Sequence, residues 1–332
     1  MQASNGLKEL QQFIAERYAI GEVGVPRPLA HVHQRRHRKL ALEATAGRFL
    51  VKTYQRDPAV LDALRFQHRL SGHLESAGLP VARIVAARDG RRIAEGDTWA
   101  IELQEFVDGE PMPVNKSALS QAGHALGRFH EVCRDFPCPE RDPTQWRLCD
   151  TPAKAFAAFY EMARAEGDPE ACAEQCNRIV LFLRDAEHAL RWEVRNELEV
   201  GLIHGDWHGG NLIYSNGGLA AIVDLEFAGE GCFLEDIAYA LSNLCIRTCT
   251  EPERLAWRTD TFLRAYQQHR TLAFREETVL YYAAGMKHVA TLGFQFQQFG
   301  GSVGGHTAPE WLERLALQCD WLTSRAKQTV WR

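Results

Sequence analysis

Residues 204–211 read HGDWHGGN, directly behind the apolar stretch 198–203. Glycines at 205, 209 and 210 admit backbone angles closed to other residues, so the segment predicts a strand that ends in a tight, rigid turn. That turn carries Asp206 and Asn211 five positions apart. Eighteen residues beyond Asp206, a second apolar run ends in Ile222-Val223-Asp224. A fold for this chain must therefore place two acids at the ends of short strands, within a β-rich island spanning 200–227.

Phosphoryl transfer to a hydroxyl asks for such a set. An aspartate must lie within hydrogen-bond reach of the nucleophile, while separate oxygen ligands hold magnesium against the phosphates. The interval from Asp206 to Asn211 equals that between Asp and Asn in the kinase loop H-R-D-x-x-x-x-N, and Asp224 stands where the principal metal ligand is expected. The third part is a cation for the α- and β-phosphates. Lys52 lies inside the strand-like FLVKTY, where an ammonium is costly unless it meets a partner. A solvated edge lysine is the plainer alternative.

The flanking sequence divides in character. In the first third, 47–54 and 97–107 read as strands, and 59–77 places Val60, Leu61, Leu64, Leu70 and Leu74 at helical spacing until Gly78-Leu79-Pro80 stops it. This part reads as strands and turns around one helix. From about 117 onward, helical patterns dominate at 117–134, 152–165, 169–196, 233–247, 252–270 and 276–299.

Bulk properties exclude several classes. The net charge of −5 makes the whole-protein field repel nucleic acid and anionic membranes. No stretch approaches the ~20 apolar residues of a membrane helix, so we expect a soluble cytoplasmic chain without nucleic-acid or membrane partners. Nine cysteines, an odd number without CxxC spacing, are expected to be reduced and mostly buried. His204 and His208 stand i,i+4, but they flank Asp206 in a turn, which disfavours zinc. The basic run Arg35 to Lys39 either lends side-chain charge to phosphates or is a solvated hairpin tip. GGSVGG at 300–305 lacks the Lys-Ser/Thr of a P-loop and predicts a flexible loop near the substrate.

HGDWHGGN followed by IVDLEFAG resembles the aminoglycoside phosphotransferase / choline kinase superfamily. GRFLVKTY resembles its lysine strand, Gly78-Leu79-Pro80-Val81 the turn after its lone N-lobe helix, and LQEFVDGEP its hinge. The resemblance implies an α+β, bilobal, protein-kinase-like fold. A small β-rich nucleotide-binding lobe would span 1–107, and a larger, mostly helical catalytic and substrate-binding lobe 108–332. It further implies Asp206 as catalytic base or hydroxyl-orienting group, Asn211 and Asp224 as Mg2+ ligands, Lys52 on the phosphates of ATP, and backbone groups near Glu105 and Val107 on adenine. His204 and His208 would brace the loop, Asp236 would support its backbone, and Glu226 would contact the metal or accept a structural hydrogen bond.

Two departures stand out. Gln67 occupies the helix position where relatives often carry the glutamate that pairs with the lysine, and 30–40, AHVHQRRHRKL, has no glycine-rich phosphate loop. Over 261–332, eight Lys or Arg face five Asp or Glu, which argues for an amino-acid-like, sugar-like or anionic alcohol over a polycationic antibiotic. A protein Ser/Thr kinase of the bacterial stress-response kind and a nucleotide-binding pseudokinase are the alternatives. Nothing in the sequence specifies an oligomeric state.

Overall fold

A computed structural model describes residues 2–29, 38–139 and 153–330. The chain forms two compact units, Met1–Pro111 with Ile213–Glu226, and Met112–Leu212 with Phe227–Arg332.

The first unit begins with α1 (Gln2–Arg17), followed by β1 (Arg27–Pro28), β2 (Arg38–Ala44), β3 (Gly47–Gln55), α2 (Pro58–Ser76), β4 (Ile84–Val85), β5 (Ala94–Glu95), β6 (Trp99–Glu105) and β7 (Glu110–Pro111). The sheet runs β1-β2-β3-β6-β4, with β5 also paired to β6, and every pairing is antiparallel. Because side chains alternate faces along a strand, the register sorts the residues. Val51 lies opposite Leu40 and Leu103, and these join Leu10 and Ile14 of α1, with Tyr18 just after it, in one core cluster. Lys52 lies opposite Lys39 and Glu102, on the other face.

That second face receives α2. Asp57 caps the helix by accepting from the N–H groups of Ala59 and Val60, and Pro58 supplies a pre-set first residue. Leu61 and Leu64 then pack on Ile93 and Ala100. The sequence reading foresaw α2 but not α1, although Leu7, Leu10 and Ile14 already carry helical spacing.

The second unit holds α3 (Lys116–Val132), α4 (Ala153–Glu166), α5 (Pro169–Ala189), α6 (Trp192–Arg195) and β8 (Val200–Ile203). The hairpin β9 (Leu212–Ser215) and β10 (Gly218–Ile222) follows, then β11 (Gly229–Cys232), α7 (Phe233–Ala240), α8 (Pro252–Tyr266), α9 (Phe274–Phe299), the short pair β12 (Ser302–Val303) and β13 (His306–Thr307), and α10 (Ala308–Val330). The hairpin groups with the first unit instead of the second: β9 pairs with β7, and the Ile222 N–H donates to the Pro80 carbonyl at 2.7 Å. A boundary at 107/108 takes no account of this return of the chain.

In the helical unit, α9 is buried on nearly every side and packs against α4, α5, α7 and α10. β8 pairs antiparallel with β11, which fixes the strand leading into HGDWHGGN. The cluster 300–305 is no open loop. Gly304 and Gly305 adopt left-handed φ of 57° and 82°, turn β12 onto β13, and Trp311 Nε1 donates to the Val303 carbonyl at 2.6 Å.

Candidate active site

The HGDWHGGN turn is built from the inside out. Trp207 is fully buried, its ring against Phe129 and edge-on to the buried His204, so the loop is anchored by an aromatic plug. Gly205 has φ of +80°, and a Cβ there would meet the Phe227 carbonyl at 2.5 Å; only glycine fits. Asp236, from α7, accepts from the N–H groups of His204 at 2.6 Å and Gly205 at 2.8 Å. Burial would raise its carboxyl, but the hydrogen bond from His130 and the charges and donors around His204 hold it below the usual range. A buried chain supports it: Arg270 donates to the Tyr266 hydroxyl, which meets His130 Nδ1, and His130 Nε2 meets Asp236.

Asp206 projects from this braced turn with three partners. Tyr239 donates its hydroxyl to Oδ1 at 2.9 Å, Asn211 Nδ2 donates to Oδ2 at 3.0 Å, and His208 Nε2 lies 3.4 Å from Oδ2. The Gly210 N–H donates to His208 Nδ1, so the ring proton sits on Nε2, facing the carboxylate. Burial pushes the Asp206 carboxyl up, yet the hydrogen bonds from His208 and the Tyr239 hydroxyl outweigh it and hold the group below the usual carboxylate range. Asn211 spends its amide nitrogen on the Asp206 carbonyl and carboxylate, leaving Oδ1 with no hydrogen bond among the described residues. The ring nitrogens that His204 Nδ1 and His208 Nδ1 would offer zinc already accept backbone N–H groups.

In the first unit, Lys52 and Asp224 come together. Lys52 Nζ lies 3.2 Å from Asp224 Oδ1, and Lys39 Nζ lies 2.6 Å from Oδ2. Asp224 takes a left-handed backbone with φ of 59°, a conformation a non-glycine residue holds only when its surroundings impose it. Burial again opposes ionisation, and the two ammoniums drive its carboxyl far below the ordinary range. Glu226 is half-buried two residues on and adds to the field at Lys52.

The partner of Lys52 on the sheet is Glu102, which sequence reasoning missed. Its carboxylate is 1% exposed and lies 3.5 Å from Lys52 Nζ. His68 Nε2 at 2.5 Å, the Tyr54 hydroxyl at 3.0 Å and Gln104 Nε2 at 3.0 Å complete its surroundings. Burial raises it, but the charge of Lys52 and the bonds from His68 and Tyr54 hold the carboxyl at about 2. Gln67 lines the same narrow cavity, about 30 Å3, beside Lys52, Glu102 and Asp224, without an ion pair. An acid from the neighbouring strand thus does what the helix position was expected to do. The signal was present: Glu102 stands in WAIELQE, where Ala100, Ile101 and Leu103 are buried on both sides of it.

At the end of β6, the Glu105 N–H donates to the Arg83 carbonyl at 2.8 Å, so only its carbonyl remains to meet a ligand, and the Val107 N–H donates to no protein group among the described residues. Of the basic run, 35–37 lies outside the described residues; Arg38 is exposed and Lys39 is turned onto Asp224. The positive surplus counted over 261–332 is largely spent inside the fold. Arg270 pairs with Glu276, Lys287 with Glu235, Arg275 with Glu197 and Arg325 with Asp260, so that count says little about an acceptor.

An antiparallel sheet with a buried lysine, a braced Gly-Asp turn ending in asparagine and a later aspartate in strained backbone define a phosphotransferase of the kinase-like α+β class. Residues 24–276 match the profile of the phosphotransferase enzyme family, APH, and the chain belongs to that family. It is an ATP-dependent small-molecule kinase. Similar curated proteins include the homoserine kinase of Nitrobacter hamburgensis, 26% identical over 82% of this chain and 78% of that one. The homoserine kinase of Polaromonas naphthalenivorans is 28% identical over 72% of each. Among solved structures, the aminoglycoside phosphotransferase from Alicyclobacillus acidocaldarius superposes with a TM-score of 0.74 at 15% identity, covering 96% of this chain and 95% of that one. The microcompartment-associated aminopropanol kinase gives 0.68 at 17% identity over 98% and 99%. Both share the fold.

Asn211 Oδ1 in the second unit and the Asp224 carboxylate in the first are each hard oxygen donors, the chemistry that a small hard cation such as magnesium takes. Among the described residues no group of three or more His, Cys, Asp or Glu is assembled as a self-sufficient cage.

Proposed function

We propose that this chain transfers the γ-phosphoryl of ATP to the hydroxyl of a small amino-bearing alcohol, with homoserine-like amino acids as the leading acceptor class. The observation that carries the reading is the Asp206 carboxylate, kept ionised and aimed by Tyr239, Asn211 and His208 on a turn braced by Asp236. A protein that only bound nucleotide would have no use for it. The acceptor class draws on the homoserine kinases among the relatives and on the aminopropanol and choline kinases among the similar folds, whose named substrates share a cationic nitrogen near a hydroxyl.

In this reading Asp206 accepts a hydrogen bond from the acceptor hydroxyl and takes its proton late. A carboxylate held below its ordinary pKa is a weak base that stays charged and can orient a hydroxyl, which suits a loose transition state in which the nucleophile forms little bond before the phosphoryl group leaves. Lys52, positioned by Glu102, holds the phosphates. Asn211 and Asp224 hold Mg2+, which supplies neutralisation of charge on the β- and γ-oxygens. The Glu105 carbonyl and Val107 N–H serve adenine, and Gln67 lines the lysine pocket without orienting Lys52.

The test is acceptor-stimulated ADP release with Mg2+ and ATP across homoserine, aminopropanol, choline and an aminoglycoside. Homoserine or a close amino alcohol should stimulate turnover and yield a phosphate monoester. Nucleotide binding without stimulation by any hydroxyl compound would favour the binding module, and label transferred from ATP into protein serine or threonine would favour the protein kinase.

A further inference from the structure

We propose that Lys39 is a second side-chain ligand for the nucleotide's phosphates, resting on Asp224 until the nucleotide arrives. The inference rests on the reading of Lys52 and Asp224 as the phosphate end of the site and assigns that site a residue of its own.

Lys39 and Lys52 face each other directly across the β2–β3 ladder, with both side chains on the α2 face. Like charges at opposed positions destabilise an antiparallel pair. Here the cost is met by one carboxylate, since Lys39 takes Oδ2 and Lys52 takes Oδ1 of Asp224. The Lys39 side chain is 12% exposed and that of Lys52 6%, so neither ammonium is dispersed into solvent. Lys52 is also shared with Glu102, and Glu226 adds a further negative charge to its field.

Such a cluster is poised to rearrange. A metal ion at Asp224 would need an oxygen that Lys39 now holds and would add positive charge beside both ammoniums. The triphosphate that accompanies the metal brings more negative charge than the metal brings positive, with oxygens to spare. Lys52 is anchored mid-strand by Glu102; Lys39, the second residue of β2, directly follows the segment where a glycine-rich loop would offer backbone amides and where this chain has AHVHQRRHR. A lysine is a compact point charge suited to phosphate, so Lys39 offers the phosphates a charged side chain at the start of β2.

Calorimetric titration of wild type, Lys39→Gln and Lys39→Arg with ATP, ADP and adenosine, with and without Mg2+, tests this. Lys39→Gln should bind ATP about ten-fold more weakly, in line with the loss of one charge-assisted contact, while adenosine affinity is unchanged. Lys39→Arg should recover most of the ATP affinity. Without nucleotide, Lys39→Gln should bind Mg2+ more tightly, because an Asp224 oxygen is released. Unchanged ATP affinity in Lys39→Gln would overturn the proposal, as would a parallel loss for adenosine, which marks a purely structural role. If wild type bound none of the nucleotides, the kinase reading itself would fail, a result distinct from either.

Discussion

Asp206, Asn211, Asp224 and Lys52 stand out in the sequence as candidates because phosphoryl transfer asks for those residue types at those intervals, and glycines mark the turn. Glu102, Tyr239 and His130 do not, because each acts across space from an element whose pattern reads as ordinary core. Tyr239 follows Asp236 by three positions, so both point from one face of α7 toward the catalytic loop, a spacing that becomes meaningful only once that loop is placed. Asp206→Asn should lower kcat by about two to four orders of magnitude while ATP affinity changes little, since only the proton acceptor is lost; steady-state kinetics beside calorimetry check this. Glu102 gives a pH prediction. Its folded carboxyl sits at about 2 against an ordinary 4.5, so the folded state favours the ionised form. The stability it contributes is therefore fully present above about pH 4.5 and is lost as pH falls toward 2. Wild-type unfolding free energy should drop across that window, and Glu102→Gln should show a shallower drop and a raised KM for ATP. An equal slope in both proteins would remove Glu102 from the Lys52 pairing.

Among elements, the helix and strand periods were read well where apolar spacing was unbroken, as in α2, and poorly at the two ends of the chain. α10 buries Trp311, Leu312, Leu315, Cys319 and Leu322 at helical spacing, yet its polar residues between them diluted the pattern. The glycine cluster before it reads as a loop by composition, while paired left-handed angles make it a hairpin. The expected single helix 233–247 is α7 followed by a π-helical turn, Leu241–Ile246. A π turn shifts the backbone ladder and leaves carbonyls in need of donors. Gln318 of α10 supplies them, its Nε2 donating to the Ile246 and Cys249 carbonyls at 2.9 and 2.8 Å, while its Oε1 meets His288 Nε2 at 2.9 Å. The Ile246 carbonyl also accepts from the Cys249 N–H at 3.0 Å, so Gln318→Leu strands the Cys249 carbonyl and His288 Nε2 and should lower the unfolding free energy by about 2 kcal/mol, read by chemical denaturation. A change within a few tenths would show that the π turn is held by packing alone.

For the molecule as a whole, two compact units divide the chemistry that the sequence strings along one chain. One carries Lys39, Lys52, Glu102 and Asp224, the other Asp206, Asn211 and their braces. The α+β class was legible from the change in pattern near 117; the return of the hairpin to the first unit was not, because strand pairing between β7 and β9 joins residues about a hundred positions apart. Net charge constrained partners but not the acceptor, since the C-terminal cations are consumed by internal ion pairs. Ligand linkage follows from the fold: ATP with Mg2+ should raise the thermal midpoint of wild type in proportion to the logarithm of its concentration, and this shift should shrink in Asp224→Ala. The decisive measurement is acceptor-dependent ATP turnover by wild type and Asp206→Asn side by side, with the product resolved by phosphorus NMR. Wild type should convert a homoserine-like amino alcohol to its phosphate monoester while the variant binds ATP and produces almost none. Equal turnover by both proteins would contradict the assignment of Asp206, and with it the claim that this braced turn performs the transfer.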